Sequence, residues 1–229
     1  MNGVSTMNSS AAATARLLGA ALRSLLVLTV LCGVLYPLAV TGLAQAFFPH
    51  RAAGSEVREG GSGRVVGSSL IGQRYDLPAR AGRAPAPDPR WFQPRPSDGL
   101  VTSTVDPRHR PLLSGATNLA GDNPELIRSV EAARAAVIED NSTPGHPVRA
   151  AEIPADALTS SGSGLDPDIS PAYARLQTHR VAERNRLPVR QLARLVEEHT
   201  QGRALGFVGE PRVNVLALNT ALRELLAGR

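Results

Sequence analysis

The chain has 229 residues, and its 25 basic and 20 acidic side chains give a formal net charge of +5. All 25 basic residues are arginine, so the chain lacks the lysine that phosphate-binding loops and Schiff-base chemistry require. The single cysteine, Cys32, excludes an internal disulfide framework and a cysteine-ligated zinc site, and an aromatic content of 3% argues against a nucleic-acid-binding arm.

A long uncharged segment near the N-terminus organises the chain. Residues 24–48 carry no charge and, as a helix rising ~1.5 Å per residue, reach ~37 Å, enough to cross a hydrocarbon core of ~30 Å. We therefore predict a transmembrane helix over 24–48, preceded by a short cytoplasmic tail of residues 1–23. A cleaved signal peptide is the alternative, because Ala44-Gln45-Ala46 resembles a cleavage site, although signal cores are usually only ~7–15 residues long.

Charges beside this segment predict its orientation. Arg16 and Arg23 lie in a region without acidic residues, which favours a cytoplasmic N-terminus. Because long domains cross with little regard to their charge, residues 64–229 are expected outside the cytoplasm. We interpret them as one α+β domain that a linker at 49–63 joins to the membrane helix.

Small and weakly polar residues recur at every fourth position of the apolar segment. In a helix with 3.6 residues per turn they form one slowly drifting stripe, which lets a helix of another protein approach closely. Pro37 lacks a backbone donor and clashes with the carbonyl of Gly33, so a kink is predicted there. The general abundance of Gly and Pro in membrane helices is the alternative explanation. The stripe consists of Thr29, Gly33, Pro37, Thr41 and Gln45.

Strand, loop and helix signals follow along the rest of the chain. Gly and Ser at 51–63 predict the linker, residues 64–71 a short strand, and eight prolines at 76–111 a loop over the surface. Cap residues and apolar periodicity predict four helices and one more strand. The helices are at 124–141, 171–186, 188–202 and 216–226, and the strand is at 213–215. Since strands and helices do not alternate cleanly, we predict an α+β fold.

The sequence contains no common catalytic motif. Its five histidines are scattered without metal-ligand spacing, so we predict neither a catalytic nor a metal site. Residues 113–119 and 159–167 cluster hydroxyl groups and glycines, which suits ordinary turns or a cradle for an anion or a partner's backbone. A hydrolase is an alternative only if Ser163, Asp166 and His179 meet in the fold.

Several segments are similar to the C subunit of the bacterial Kdp potassium-transporting P-type ATPase. The similarity begins at the N-terminal span and at residues 66–73, and it continues through residues 92–97 and 114–124. Its most specific parts are residues 153–171 and the sequence LGFVGEPRVNVLALN at 205–219. The chain is thereby identified as a member of that family.

The resemblance implies a non-catalytic accessory subunit of a high-affinity, ATP-driven potassium import complex in the bacterial inner membrane. The implied partners are a channel-like subunit that conducts potassium, a P-type ATPase subunit and a small single-span subunit. The family is described as a catalytic chaperone that raises the ATP affinity of the ATPase subunit. No cofactor is expected on this chain, since potassium is the ion that the complex transports and ATP is reached through the complex.

The resemblance also implies a nucleotide contact. The family segment Ser-Gly-Gly-Ser-Asn has been likened to an ABC-transporter signature, which points to Ser114, Gly115 and Asn118. Ala116 departs from this pattern, and its methyl group crowds a close backbone approach. An extracytoplasmic domain also conflicts with cytoplasmic ATP. The remaining alternatives are a membrane-anchored extracytoplasmic hydrolase and a tethered nucleotide-binding module.

Overall fold

The computed structural model describes residues 5–60, 62–78, 86–97 and 114–228. The chain divides into two compact units, residues 1–55 and residues 56–229. The described part of the first unit is almost entirely helical, whereas the second combines helices with short antiparallel strands. This confirms the predicted class, an N-terminal apolar helix followed by an α+β domain.

The first unit is one long interrupted helix and a short one. Its elements are α1 (Ser5–Val30), a π-helical turn (Leu31–Leu35), α2 (Tyr36–Phe47) and α3 (Pro49–Ala52). The part from Ala11 to Phe47 is long and apolar enough to cross a membrane. The helix begins well before residue 24, because the preceding Ala, Leu and Arg residues have high helix propensity and a charged side chain does not end a helix.

The helical hydrogen-bond ladder changes where the kink was predicted. The N–H of Tyr36 donates to the carbonyl of Leu31, five residues back rather than four. The next residue, Pro37, has no N–H to donate, and its ring crowds the carbonyl of Gly33. A wider π-helical turn accommodates this misfit without ending the helix.

The linker prediction for residues 51–63 is wrong in its second half. There β1 (Glu56–Arg58) pairs antiparallel with β2 (Val65–Ser68), and the N–H of Glu59 donates to the carbonyl of Arg64 at 2.9 Å. Glycine and serine supply the turn of this hairpin rather than a flexible tether. The mixed domain therefore starts at residue 56 instead of 64, and β2 confirms the first half of the strand predicted at 64–71.

A second sheet, four α-helices and two short 3-10 turns (Ala150–Glu152 and Ala155–Ala157) make up the other regular elements among the described residues of the domain. The strands β3 (Asp168–Ile169), β4 (Thr200–Gln201) and β5 (Arg212–Asn214) are antiparallel and ordered β3–β5–β4. The helices are α4 (Pro124–Asn141), α5 (Pro171–Asn185), α6 (Val189–Glu198) and α7 (Val215–Ala227). The four helix predictions are confirmed, except that α6 ends before β4 rather than at residue 202.

Side-chain caps explain why three of these helices begin where they do. Each cap is a polar side chain that accepts a hydrogen bond from a backbone N–H of the first turn, which otherwise has no partner. The pairs are Asn123 with Glu125 at 2.8 Å, Ser170 with Tyr173 at 3.0 Å and Asn214 with Ala217 at 3.1 Å. Proline follows the first two caps, as the sequence signals predicted.

Residues 86–97 belong to the loop predicted to run over the surface at 76–111, yet they enter the core. Phe92 is completely buried. Its N–H donates to Oδ1 of Asn219 at 3.0 Å, and its carbonyl accepts from Nδ2 of the same side chain at 2.8 Å. The surface-loop prediction is therefore wrong for this segment, and residues 79–85 and 98–111 of the prediction lie outside the described part of the chain.

A second amide repeats this arrangement one residue later. The N–H of Gln93 donates to Oε1 of Gln177 at 2.7 Å, and Nε2 of Gln177 donates to the carbonyl of Gln93 at 3.0 Å. A buried segment without regular structure needs a partner for each backbone group, and a side-chain amide offers both a donor and an acceptor group. Side chains of α5 and α7 therefore replace the sheet ladder that the segment lacks.

Candidate functional site

The predicted stripe on the long helix is accessible within its own unit. All five of its residues, Thr29, Gly33, Pro37, Thr41 and Gln45, are exposed. A methyl group added at Gly33 would meet only the Thr29 side chain, at 3.9 Å. Bulk at Gly33 is thus compatible with the helix itself and would be felt only by a neighbouring helix. The existence of that neighbour stays a prediction.

The two hydroxyl-rich segments singled out from the sequence meet in the structure. The hydroxyl group of Ser114 and the N–H of Gly115 both donate to the carbonyl of Ser163, at 3.0 and 2.9 Å. These two donors are therefore used inside the protein. Asn118 is exposed and lies in the left-handed region with a φ of 52°. The nucleotide contact at Ser114, Gly115 and Asn118 stays a prediction.

Arg95 joins residues 159–166 to the buried segment at 86–97. Its Nη1 lies 3.3 Å from Oδ2 of Asp166, and its Nη2 donates to the carbonyl of Thr159 at 3.2 Å. Next to it, the N–H of Ser161 donates to the carbonyl of Pro96 at 3.0 Å. The Nε of Arg95 is buried and has no hydrogen-bond partner among the described residues.

The three residues of the alternative hydrolase are engaged separately. Asp166 pairs with Arg95, while the hydroxyl oxygen of Ser163 accepts from the N–H of Leu165 at 3.1 Å. The ring of His179 stacks on that of His146, with centroids 3.7 Å apart. Among the described residues no hydrogen bond joins Ser163, Asp166 and His179, so the structure does not support a relay between them.

A cavity of about 240 Å³ lies between α4, α5 and residues 87–97. Arg180 of α5 lines it and is only 4% exposed. Its guanidinium group donates four hydrogen bonds, all to uncharged oxygens, and burial lowers the pKa of Arg180 to about 10. The acceptors are Oδ1 of Asn141, the carbonyls of Pro89 and Trp91, and Oε1 of Gln177.

Comparison with known proteins decides the family. Residues 18–224 match the model of a family described as KdpC, the c chain of K+-transporting ATPase. The chain belongs to the KdpC family. Membership places it among the subunits of multi-subunit K+-transporting ATPases, which confirms the resemblance predicted from the sequence.

Relatives with this name match nearly the whole chain. Proteins from Streptomyces coelicolor and Streptomyces avermitilis, both named potassium-transporting ATPase KdpC subunit, are 61% identical over 222 residues. These matches cover 96% of this chain and 98% and 99% of the two relatives. A protein of the same name from Beijerinckia indica is 45% identical over 202 residues, which cover 87% of this chain and 89% of the relative.

A loop that overlaps the start of the KdpC-like segment at 205–219 displays apolar side chains. We call residues 203–210 the apolar loop. Leu205 is 86% exposed and Phe207 is 73% exposed. The backbones of Ala204 and Val208 exchange two hydrogen bonds of 2.9 Å, so the loop has a defined shape. Large exposed apolar side chains held in one place are typical of an interaction site.

Sequence reasoning on this KdpC-family chain missed Arg180, Gln177 and Asn219. The sequence predicts each of them only as part of a helix, and although Asn219 ends the similar segment at 205–219, that segment assigns it no role. One signal could have found two of them: Gln177 lies one turn before buried Val181, and Asn219 lies one turn after buried Val215. A polar residue in register with the core positions of a helix indicates a buried hydrogen bond.

Proposed function

We propose that this chain is the non-catalytic accessory subunit of an ATP-driven potassium import complex of the bacterial inner membrane. The match of residues 18–224 to the c chain of K+-transporting ATPase carries this proposal. The separate engagement of Ser163, Asp166 and His179 leaves the alternative hydrolase without the relay that it requires. The expected partners are the channel-like subunit, the P-type ATPase subunit and the small single-span subunit of the complex.

The proposed topology has the N-terminus in the cytoplasm, one membrane crossing within residues 11–47 and the α+β domain outside. Arg16, Arg23 and the absence of acidic residues before the apolar segment support this orientation. A reporter enzyme that is active only outside the cytoplasm, fused to the C-terminus, should be active. Activity of a cytoplasm-only reporter at the same position would contradict the topology.

The stripe is the proposed contact with a partner helix in the membrane. Gly33→Leu adds bulk without adding charge, and the helix has room for it. Membrane insertion should therefore survive, whereas co-purification of the transport subunits and ATP-driven potassium uptake should fall. Leu26→Ala, off the stripe, is the matched control. An intact complex with Gly33→Leu in mild detergent would show that the stripe makes no contact.

The apolar loop is the proposed contact between the domain and another subunit. Leu205 and Phe207 are largely exposed within this unit. Burying each side chain against a partner would contribute about 1.5–3 kcal/mol to binding. Because the side chains support no core residue, replacing them should weaken assembly without unfolding the domain. Co-purification of the transport subunits with a chain carrying Leu205→Ser and Phe207→Ser tests this contact.

The proposed effect on the complex is a higher ATP affinity of the ATPase subunit. An extracytoplasmic domain would act on that subunit through the membrane partners rather than by touching ATP. Complexes prepared without this chain should need a higher ATP concentration for half-maximal hydrolysis, and an unchanged ATP dependence would contradict the proposal. Direct nucleotide contact at Ser114, Gly115 and Asn118 predicts instead that Asn118→Ala alone raises that concentration in the complete complex.

A further inference from the structure

The cavity beside Arg180 has an unusual charge distribution. Three arginines line it, Arg74, Arg95 and Arg180, against one acidic residue, Asp140. Arg74 is paired with Asp76 at 3.1 Å and Arg95 with Asp166 at 3.3 Å. Within the described part of the chain Arg180 has no carboxylate at ion-pair distance. A cation is excluded from such a lining by repulsion between like charges.

Arg180 carries a buried positive charge whose hydrogen-bond acceptors are all uncharged, and the carboxylates of Asp140 and Asp88 offset it only in part, from beyond ion-pair distance. Its four hydrogen bonds use four of the five donors that a guanidinium group offers. Taking a charge out of water without an opposite charge is unfavourable by several kcal/mol. A negative group in the cavity would offset part of this cost and would be held by charge-assisted hydrogen bonds.

Arg95 supplies an independent observation on the same wall. Its Nε is the one buried side-chain nitrogen or oxygen, of those in the described residues, that lacks a hydrogen-bond partner. A buried donor left unpaired costs about 1–3 kcal/mol, so native proteins almost always satisfy it with protein, water or ligand. Arg95 thus lines the cavity and carries an unused buried donor, while Arg180 contributes a charge without a carboxylate at ion-pair distance.

We propose that this cavity binds a small oxyanion, the phosphate or carboxylate group of a small molecule. Both groups are acceptors that match the planar donors of arginine. The cavity volume of about 240 Å³ leaves room for the anion and several water molecules. The site is separate from the segment around Ser114, and the proposal does not depend on the role of the chain in potassium transport.

A substitution of Asp140 tests the proposal, because this acidic residue lines the same cavity as the expected anion. Surrounding protein raises the pKa of Asp140 by burial, an effect that Arg180 opposes. Asp140→Asn removes a negative charge from the lining and keeps its shape. Anion affinity should rise about threefold in Asp140→Asn, whereas Arg74→Gln, at the exposed side of the cavity, should lower it about threefold.

The experiment is calorimetric titration of the full-length chain in detergent, at constant ionic strength, with inorganic phosphate and separately with acetate. Saturable one-to-one binding of either probe is expected, and the probe that binds tells phosphate from carboxylate recognition. Arg128→Gln, also on α4 but not lining the cavity, is the control for net charge and should bind as the wild type does. Absence of saturable binding to both probes, or equal weakening by Arg74→Gln and Arg128→Gln, would overturn the proposal.

Discussion

The long N-terminal helix and the buried segment at 86–97 satisfy their backbone hydrogen-bonding groups in opposite ways. Backbone groups of the helix bond to one another within a few residues, and nearly all its side chains from residue 11 to residue 47 are exposed. The segment lacks a regular ladder, and it depends on Gln177 and Asn219, which lie 84 and 127 residues away along the chain. Side chains of the helix are therefore free to meet partners, whereas those around the segment are committed to folding.

The largest expected effect is that of Asn219→Leu. The substitution leaves the buried N–H and carbonyl of Phe92 without partners, so the free energy of unfolding should fall by about 4 kcal/mol. Trp91, the single tryptophan of the chain, lies beside Phe92 and reports on the segment. Urea unfolding followed by tryptophan fluorescence measures the change.

The matched control is Thr220→Ala, one residue further along α7. The hydroxyl of Thr220 donates to the carbonyl of Leu216 within the same helix, at 2.8 Å. Removing it should cost less than about 1 kcal/mol, because no distant backbone group loses its partner. Equal effects of Asn219→Leu and Thr220→Ala would show that the buried amide does not hold the segment.

A smaller effect is expected at the start of α5. Ser170 caps Tyr173, and Asp156 in turn accepts hydrogen bonds from the N–H and hydroxyl group of Ser170, at 2.7 and 2.9 Å. Ser170→Ala should lower the free energy of unfolding by about 1 kcal/mol. Ser129→Ala, which removes an exposed hydroxyl bonded only to its own helix, should change the unfolding midpoint less. The reverse order would contradict the capping role.

The smallest predicted effect is a pH dependence from His179. Burial, and secondly the neighbouring His146, lower the pKa of His179 below its ordinary value of about 6.5. The unfolded chain then binds a proton more readily than the folded one, so stability falls as pH decreases through about 6.5. His179→Asn should reduce this slope in urea unfolding between pH 7.5 and 5.5. A slope equal to that of the wild type would contradict the interpretation.

Local signals made part of the domain predictable. Asn123 with Pro124, and Ser170 with Pro171, marked the helix starts correctly, because a cap acts within its own first turn. The apolar segment predicted the long helix, although not its start, since length and charge define a membrane crossing better than they define the end of a helix. The antiparallel hairpin at β1 was hidden because its turn glycines also suit a linker.

The buried segment and the cavity could not be predicted in the same way. Prolines and arginines at 86–97 favour an exposed loop, and only amides more than 80 residues away bring Phe92 into the core. Arg180 carries a charge that would ordinarily remain in water. Long-range hydrogen bonds of this kind leave no local pattern. The meeting of Ser114 with Ser163 was likewise unforeseen, although both segments were singled out.

The central claim is that exposed side chains of this KdpC-family chain serve assembly and not folding, and the apolar loop tests it most directly. The measurement is the amount of transport subunits that co-purify with a chain carrying Leu205→Ser and Phe207→Ser. Both side chains are largely exposed, so unfolding should change by no more than about 0.5 kcal/mol per site. We predict a marked loss of co-purifying subunits at this unchanged stability. A complete complex with the double variant would contradict the claim.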